Sequence, residues 1–228
     1  MKFENADVYN FENAIRGMRL PMNSGNKSDT KYQYAYGVCH TVKLGENDLG
    51  LMQKLIKAGS PHDKFMRQIF VSVDITAPLY WWKEMDQYKV GTTTNSQSTM
   101  HKLATTPIDF TCFEFDDYDY ETSILSVYDN EPYKIDTSIN DMWDEIIDCC
   151  ETLRKRYLET KDKRYWKELI RLLPESWLQT RTWTANYEVL RNIVHQRAGH
   201  KLLEWQSFID WVDTLPYAEE LIFYKGEN

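Results

Sequence analysis

The sequence predicts an α/β (α+β) fold, and three observations predict it. Gln68–Ile75 alternates: Ile69, Val71, Val73 and Ile75 point one way, Phe70, Ser72 and Asp74 the other. That two-residue period is the mark of a half-buried strand. Ile139, Met142, Trp143, Ile146, Ile147, Cys150, Leu153 and Tyr157 instead recur at helical spacing, the pattern of a long amphipathic helix. Finally, 228 residues with 42% hydrophobic and 14% aromatic content suffice for a core without disulfide or metal staples, and exclude intrinsic disorder. No Pro/Gly/Ser-rich linker divides the chain. We therefore read one domain over residues 1–228, with 1–45 as an irregular N-terminal extension.

The elements follow in order. NSGNKSDTK (residues 23–31) reads as a polar loop. Asn47-Asp48 caps a short helix with Leu49, Met52, Leu55 and Ile56 on one face, and Gly59 stops it. Ser60-Pro61 opens another short helical turn. After the strand, Ala77-Pro78 starts a helix through Trp81-Trp82, which ends near Gly91 and is followed by TTTNSQST (residues 92–99). Residues 109–135 are acidic and aromatic, which reads as a solvated loop. Ser138 caps the long helix, whose tail is basic at Arg154, Lys155 and Arg156. A helix from Arg164 to Leu173 ends at Pro174, another covers 183–200, and a last one from Leu202 is stopped by Pro216.

Charge and motif content exclude several functions. A net charge of -8 and a pI of about 5.2 do not suit a nucleic-acid coat protein, which neutralises phosphates with Lys and Arg. A small anionic ligand needs only a local basic pocket. The N-terminus has no apolar h-region, and no run approaches the length of a spanning helix, so we expect a soluble cytoplasmic protein. Cys39, Cys112, Cys149 and Cys150 make no CxxC pair and read as reduced core thiols. The five histidines form neither HExxH nor a zinc spacing with cysteine, so no metal is expected. Neither GxSxG nor a common phosphate-binding glycine loop occurs.

The informative segment is PLYWWKEMDQYKVGTTTNSQSTMHKL, residues 78–103. A strand, Ala-Pro, a helix and then a polar run with Asn and Ser resemble the signature region of the flavin-dependent thymidylate synthases, whose motif is RHRxxSxNExSxRY. Laid without gaps, the motif falls on Tyr88 to His101: Thr93 takes the first Ser position, Asn95 matches the Asn and Ser98 the second Ser. A second block agrees. The family's late helix, WTxNxRSLxNFxxLR, is matched by Trp183-Thr184, Asn186, Leu190, Asn192 and Arg197. Glu204-Trp205 then lies near the family's Gln-Trp-Glu, offset by one residue, and LLPESWLQT (residues 172–180) resembles the approach to that helix.

The resemblance implies a central antiparallel sheet flanked by helices, assembled as a homotetramer. It implies FAD and dUMP at subunit interfaces, NADPH to reduce the flavin and methylenetetrahydrofolate to give the carbon. It is also similar to phage or prophage-encoded relatives, which would place the protein in the host cytoplasm. Carried over by position, Ser98 and Arg197 would serve catalysis and hold the nucleotide, beside Thr93, His101 and Lys102. Asn186, Asn192, Asn95 and Lys89 would lie on the flavin side. Departures are concentrated in the first block. Arg-His-Arg is replaced by Tyr88-Lys89-Val90, the motif Glu by Ser96, its Arg by Met100 and its Tyr by His101. Those family cations hold phosphates, and a Met cannot supply a bidentate charge.

Two functions remain open. One is a FAD-dependent enzyme transferring a methyl group to C5 of a pyrimidine nucleotide. The other is a non-catalytic nucleotide-binding or sequestering protein on the same scaffold. Simpler roles stand beside each residue: Asn95 and Ser98 as turn formers, Arg197 paired with Glu188 or Glu204, and Trp81-Trp82 as core.

Overall fold

The computed structural model describes residues 1–35, 38–99, 103–118, 124–128 and 134–226. His101 and Lys102 lie outside these residues, as does part of the acidic stretch. The fold is α+β, with a central antiparallel sheet flanked by helices. Its strands run in the order β1 (Lys2–Tyr9), β4 (Phe70–Pro78), β8 (Leu178–Asn186) and β5 (Thr93–Ser96). Two antiparallel hairpins accompany it, β2 (Lys31–Ala35) with β3 (Val38–Lys43), and β6 (Ile124–Tyr128) with β7 (Lys134–Ser138).

The chain divides into two compact units. The first holds Met1–Ile75, Asp86–Asn95 and Arg181–Asn228; the second holds Thr76–Met85 and Ser96–Thr180. In the first, α1 (Phe11–Arg19) and α2 (Glu46–Ala58) precede the sheet's second strand, and α6 (Tyr187–Arg197) and α7 (Leu203–Asp213) follow its third. In the second unit, α3 (Leu79–Met85) is followed by the paired α4 (Ile139–Thr160) and α5 (Lys163–Leu172).

The alternation in β4 is as expected. Val71, Val73, Ile75 and Ala77 are buried, while Phe70 is 48% exposed. Trp81 and Trp82 are fully buried in α3, and Trp82 Nε1 donates to the Gln179 carbonyl at 3.0 Å. Gly59, with φ +70°, ends α2 as the sequence suggests, because that left-handed value favours glycine.

Three expectations are corrected. Residues 1–45 are not an irregular extension: they hold β1, α1 and the β2–β3 hairpin, and Phe11, Ala14 and Ile15 join the core. Edge strand β1 is mostly exposed, so it shows no alternation to read. Asn47-Asp48 do not cap α2. The Asp29 carboxylate does, accepting from the Asn47 and Asp48 amides at 3.0 and 3.1 Å. Asp48 is instead fully buried, holding Arg19 through Oδ1 and the Ser28–Thr30 loop through Oδ2. Finally, the helix expected over 183–200 begins only at Tyr187, because Trp183 to Asn186 belong to β8.

The acidic stretch is more than a solvated loop. Phe110, Phe113 and Phe115 pack with Trp143 and Trp177 in the second unit. The Glu151–Arg154 pair braces the segment before it, through Ile108 N at 2.9 Å and the Ala104 carbonyl at 3.1 Å. Cys150 is buried, and burial raises its thiol pKa to about 11. Cys149 is exposed rather than a core thiol.

Candidate functional site

Within the first unit, the start of the first block, up to Asn95, lies beside the second block. Residues 86–95 run along the end of β8 and along α6. Arg181 Nη1 pairs with Asp86 Oδ1 at 2.8 Å. Thr184 Oγ1 donates to the Thr93 carbonyl at 3.4 Å. Gly91, at φ +76°, lies so close to α6 that an added Cβ would stand 3.1 Å from Asn186 Nδ2 and from Val189 Cγ2. At the far end, Tyr88 meets Arg197.

Arg197 is the last residue of α6 and is half-buried. Its Nε donates to Tyr88 Oη at 2.9 Å, and Tyr88 Oη donates in turn to Gln196 Oε1 at 3.2 Å. The guanidinium carbon lies 4.4 Å from the centroid of the Trp205 ring and 5.5 Å from that of Tyr88. Both distances are within cation–π range. Trp205 is fully buried in α7 and meets the Tyr88 ring edge-on at 6.2 Å. Of the two carboxylates considered for Arg197, Glu188 is engaged by Arg67, whose Nη2 donates to Oε1 at 2.9 Å.

The remaining candidates are dispersed. Asn186 is 8% exposed and is the N-cap of α6: its Oδ1 accepts from the Val189 amide at 3.0 Å. It therefore stands just ahead of α6 and not inside the helix expected over 183–200. Asn192 is exposed on α6, Lys89 is exposed in the turn, and Thr93 and Asn95 are exposed on β5. Ser98 belongs to the second unit and is half-buried. Beside it, Gln179 Nε2 donates to the Gln97 carbonyl at 2.8 Å and to Thr99 Oγ1 at 3.1 Å.

Sequence reasoning did not name Tyr88 or Trp205 as partners of Arg197. In sequence, Tyr88 reads as a replaced cation, and Trp205 as an apolar position of the last helix beside an offset motif. Their signal was chemical: a half-buried guanidinium on a helix end needs acceptors and polarisable faces.

The tripeptide that stands in place of the family's Arg-His-Arg offers a single cation to a phosphate. A flavin dinucleotide carries two phosphates, and the motif positions that would face them hold Tyr88 and Val90. Val90 is 88% exposed and carries no donor beyond its backbone. Lys89 is the one cation of the tripeptide. The buried Asn186 carbonyl oxygen is committed to its own helix. Among the described residues, no group of three His, Cys, Asp or Glu is placed to hold a metal ion. No described helix is long and apolar enough to cross a membrane.

No family model matches the sequence, and no curated protein matches it. Solved structures do match over nearly the whole chain. One is the flavin-dependent thymidylate synthase ThyX from Helicobacter pylori complexed with FAD and dUMP. It is 16% identical, with a TM-score of 0.65, covering 98% of each chain. A second structure of thymidylate synthase X from Helicobacter pylori, with FAD and dUMP, is 18% identical. Its TM-score is 0.65, covering 98% of this chain and 97% of that one. A UMP/dUMP methylase, PolB from Streptomyces cacaoi, bound with 5-Br UMP, is 12% identical, with a TM-score of 0.54. There 97% of this chain and 92% of that one are covered. At these identities the likeness is one of fold: this chain shares, distantly and over its full length, the architecture of flavin-dependent thymidylate synthase structures.

Proposed function

We propose that the chain binds a pyrimidine nucleoside monophosphate, dUMP or UMP, and does so without a flavin. The observation that carries this reading is Arg197. It stands at the position of the family's nucleotide-contacting Arg, and Tyr88 Oη and the Trp205 ring hold its guanidinium. A guanidinium matches phosphate or a pyrimidine carbonyl by planar, charge-assisted hydrogen bonds. The structures of like fold hold dUMP or a UMP analogue, which supports the same ligand class. The absent motif cations argue against the dinucleotide. Thr93, in the same unit, would join the nucleotide site in a homotetramer.

The test is calorimetry and thermal shift with dUMP, UMP, dTMP and FAD, each alone and paired. The expected result is colourless purified protein, stabilised by dUMP or UMP without FAD. Saturation at a hundredfold excess over Kd corresponds to about 2.7 kcal/mol of added stability. Silence across the nucleotide panel would overturn the reading.

A second reading is FAD-dependent C5 methyl transfer to dUMP, with NADPH and methylenetetrahydrofolate. Its support is the 98% coverage of a fold that holds FAD together with dUMP. Asn186, Asn192, Lys89 and Asn95 would then face the flavin. Growth of a thymidine-requiring bacterium carrying this chain, together with yellow purified protein, would establish it in place of the first.

A further inference from the structure

We infer that Tyr88 is a positioning residue for Arg197: its hydroxyl fixes the guanidinium in one orientation before nucleotide arrives. The inference rests on the nucleotide-binding reading above, and takes from it the role of Arg197. What it adds is a function for a residue that stands where the resemblance has a phosphate-binding cation.

The geometry supplies the argument. Arg197 has three rotatable bonds beyond Cβ, and a guanidinium that has to be ordered on binding costs a ligand affinity. Three contacts restrict its orientation. Tyr88 Oη accepts from Nε at 2.9 Å, which sets the guanidinium plane. The Trp205 ring, 4.4 Å from Cζ, sets what one face lies against. The Tyr88 hydroxyl is itself oriented, because its proton goes to Gln196 Oε1 at 3.2 Å, leaving a lone pair for Nε. Trp205 is fully buried and moves only with the core, so the frame around Arg197 is stiff. An Arg or Lys at position 88 would repel Arg197, whereas a phenol accepts from it. The exchange of cation for tyrosine therefore gives up a phosphate contact and gains an oriented guanidinium. A flavin-independent nucleotide site needs that orientation more than it needs the lost charge.

Tyr88→Phe isolates the hydroxyl, because the ring and its packing on Trp205 remain. Three quantities are read on the full chain: the solvent exchange of the Arg197 Nε–H by nitrogen-15 NMR, the Kd for dUMP and UMP, and the melting temperature. Arg197→Lys assigns the Nε–H signal by removing it. In Tyr88→Phe we expect an unchanged melting curve, Nε–H exchange accelerated about tenfold, and dUMP affinity reduced about tenfold, the loss of one charge-assisted hydrogen bond. Gln196→Ala is expected to reproduce the effect more weakly, by freeing the hydroxyl to rotate. Unchanged Nε–H exchange in Tyr88→Phe would overturn the inference whether or not nucleotide binds. Faster exchange with unchanged dUMP affinity would also overturn it, by making the contact purely structural. If the wild-type protein binds neither dUMP nor UMP, the function reading falls, and with it the role assigned to Tyr88. The exchange rates still report separately on the contact itself.

Discussion

Arg197 lies against the ring of Trp205, its guanidinium carbon 4.4 Å from the centroid, while Trp205 is itself fully buried between Phe208 and His200. One indole thus anchors α7 in the core and presents a face to the candidate ligand cation.

The two roles of Trp205 separate by substitution. Trp205→Ala removes a large buried side chain and should cost about 3–5 kcal/mol in urea unfolding. Trp205→Phe keeps an aromatic ring but weakens the cation–π contact, worth about 0.5–2 kcal/mol. Its expected signature is a small stability loss with a larger fractional loss of dUMP affinity. Equal loss of affinity and stability in both variants would show that the indole serves only the core.

Asp48 is the next test, because five donors converge on it. Arg19 Nε, at 2.5 Å, contacts Oδ1, while Ser28 Oγ, the Asp29 and Thr30 amides and Thr30 Oγ1 contact Oδ2. Burial pushes its carboxyl pKa up, but the hydrogen bonds from Thr30, Ser28 and Arg19 outweigh it, and the pKa is lowered. Asp48→Ala strands a guanidinium that is 4% exposed. The expected loss is about 3–5 kcal/mol, read by denaturant unfolding at neutral pH. Since the folded-state pKa is below the unfolded one, this stability is present above the unfolded value and fades as pH falls through the folded one.

How much of this was legible follows the physics of each element. β4 and α4 announce themselves because each has one buried and one wet side, so its apolar period survives in sequence. β8 was hidden: Trp183, Thr184 and Ala185 alternate buried and exposed for only three residues before the helix begins. β1 was hidden because an exposed edge strand has little to alternate. In the site, Arg197 could be named from the resemblance, since it falls on the terminal Arg of the late-helix motif. Its partners could not. The contact with Tyr88 joins residues 109 positions apart, and nothing local in either segment encodes it.

Glu151 carries a pH signature in the second unit. The hydrogen bonds from Arg154 hold its carboxyl pKa down to about 2, against the opposing effect of burial. A depressed carboxyl stabilises the folded state fully above its unfolded pKa, and that contribution is lost as pH falls through about 2. Glu151→Gln should therefore cost about 1.5–3 kcal/mol at pH 7, a figure for hydrogen bonds to charged groups. The gap between variant and wild type should narrow steadily below pH 4.5. A gap independent of pH would mean that the carboxylate charge contributes nothing.

Asn186 discriminates between the two functional readings. Its Oδ1 accepts from the Val189 amide at 3.0 Å and caps α6, the helix that carries Arg197 at its other end. Removing that cap in Asn186→Ala should cost about 0.5–2 kcal/mol. For a chain of this size that lowers the melting temperature by about 2–4 °C per kcal/mol. Aspartate caps as well as asparagine, and its charge suits the positive end of the helix dipole, so Asn186→Asp should melt close to wild type. Asp lacks the amide N–H that a flavin ring would receive. If Asn186 is a cap and the site is flavin-independent, Asn186→Asp keeps both stability and dUMP affinity. Retained stability with lost FAD binding would instead return the amide to the flavin, and the protein to FAD-dependent chemistry.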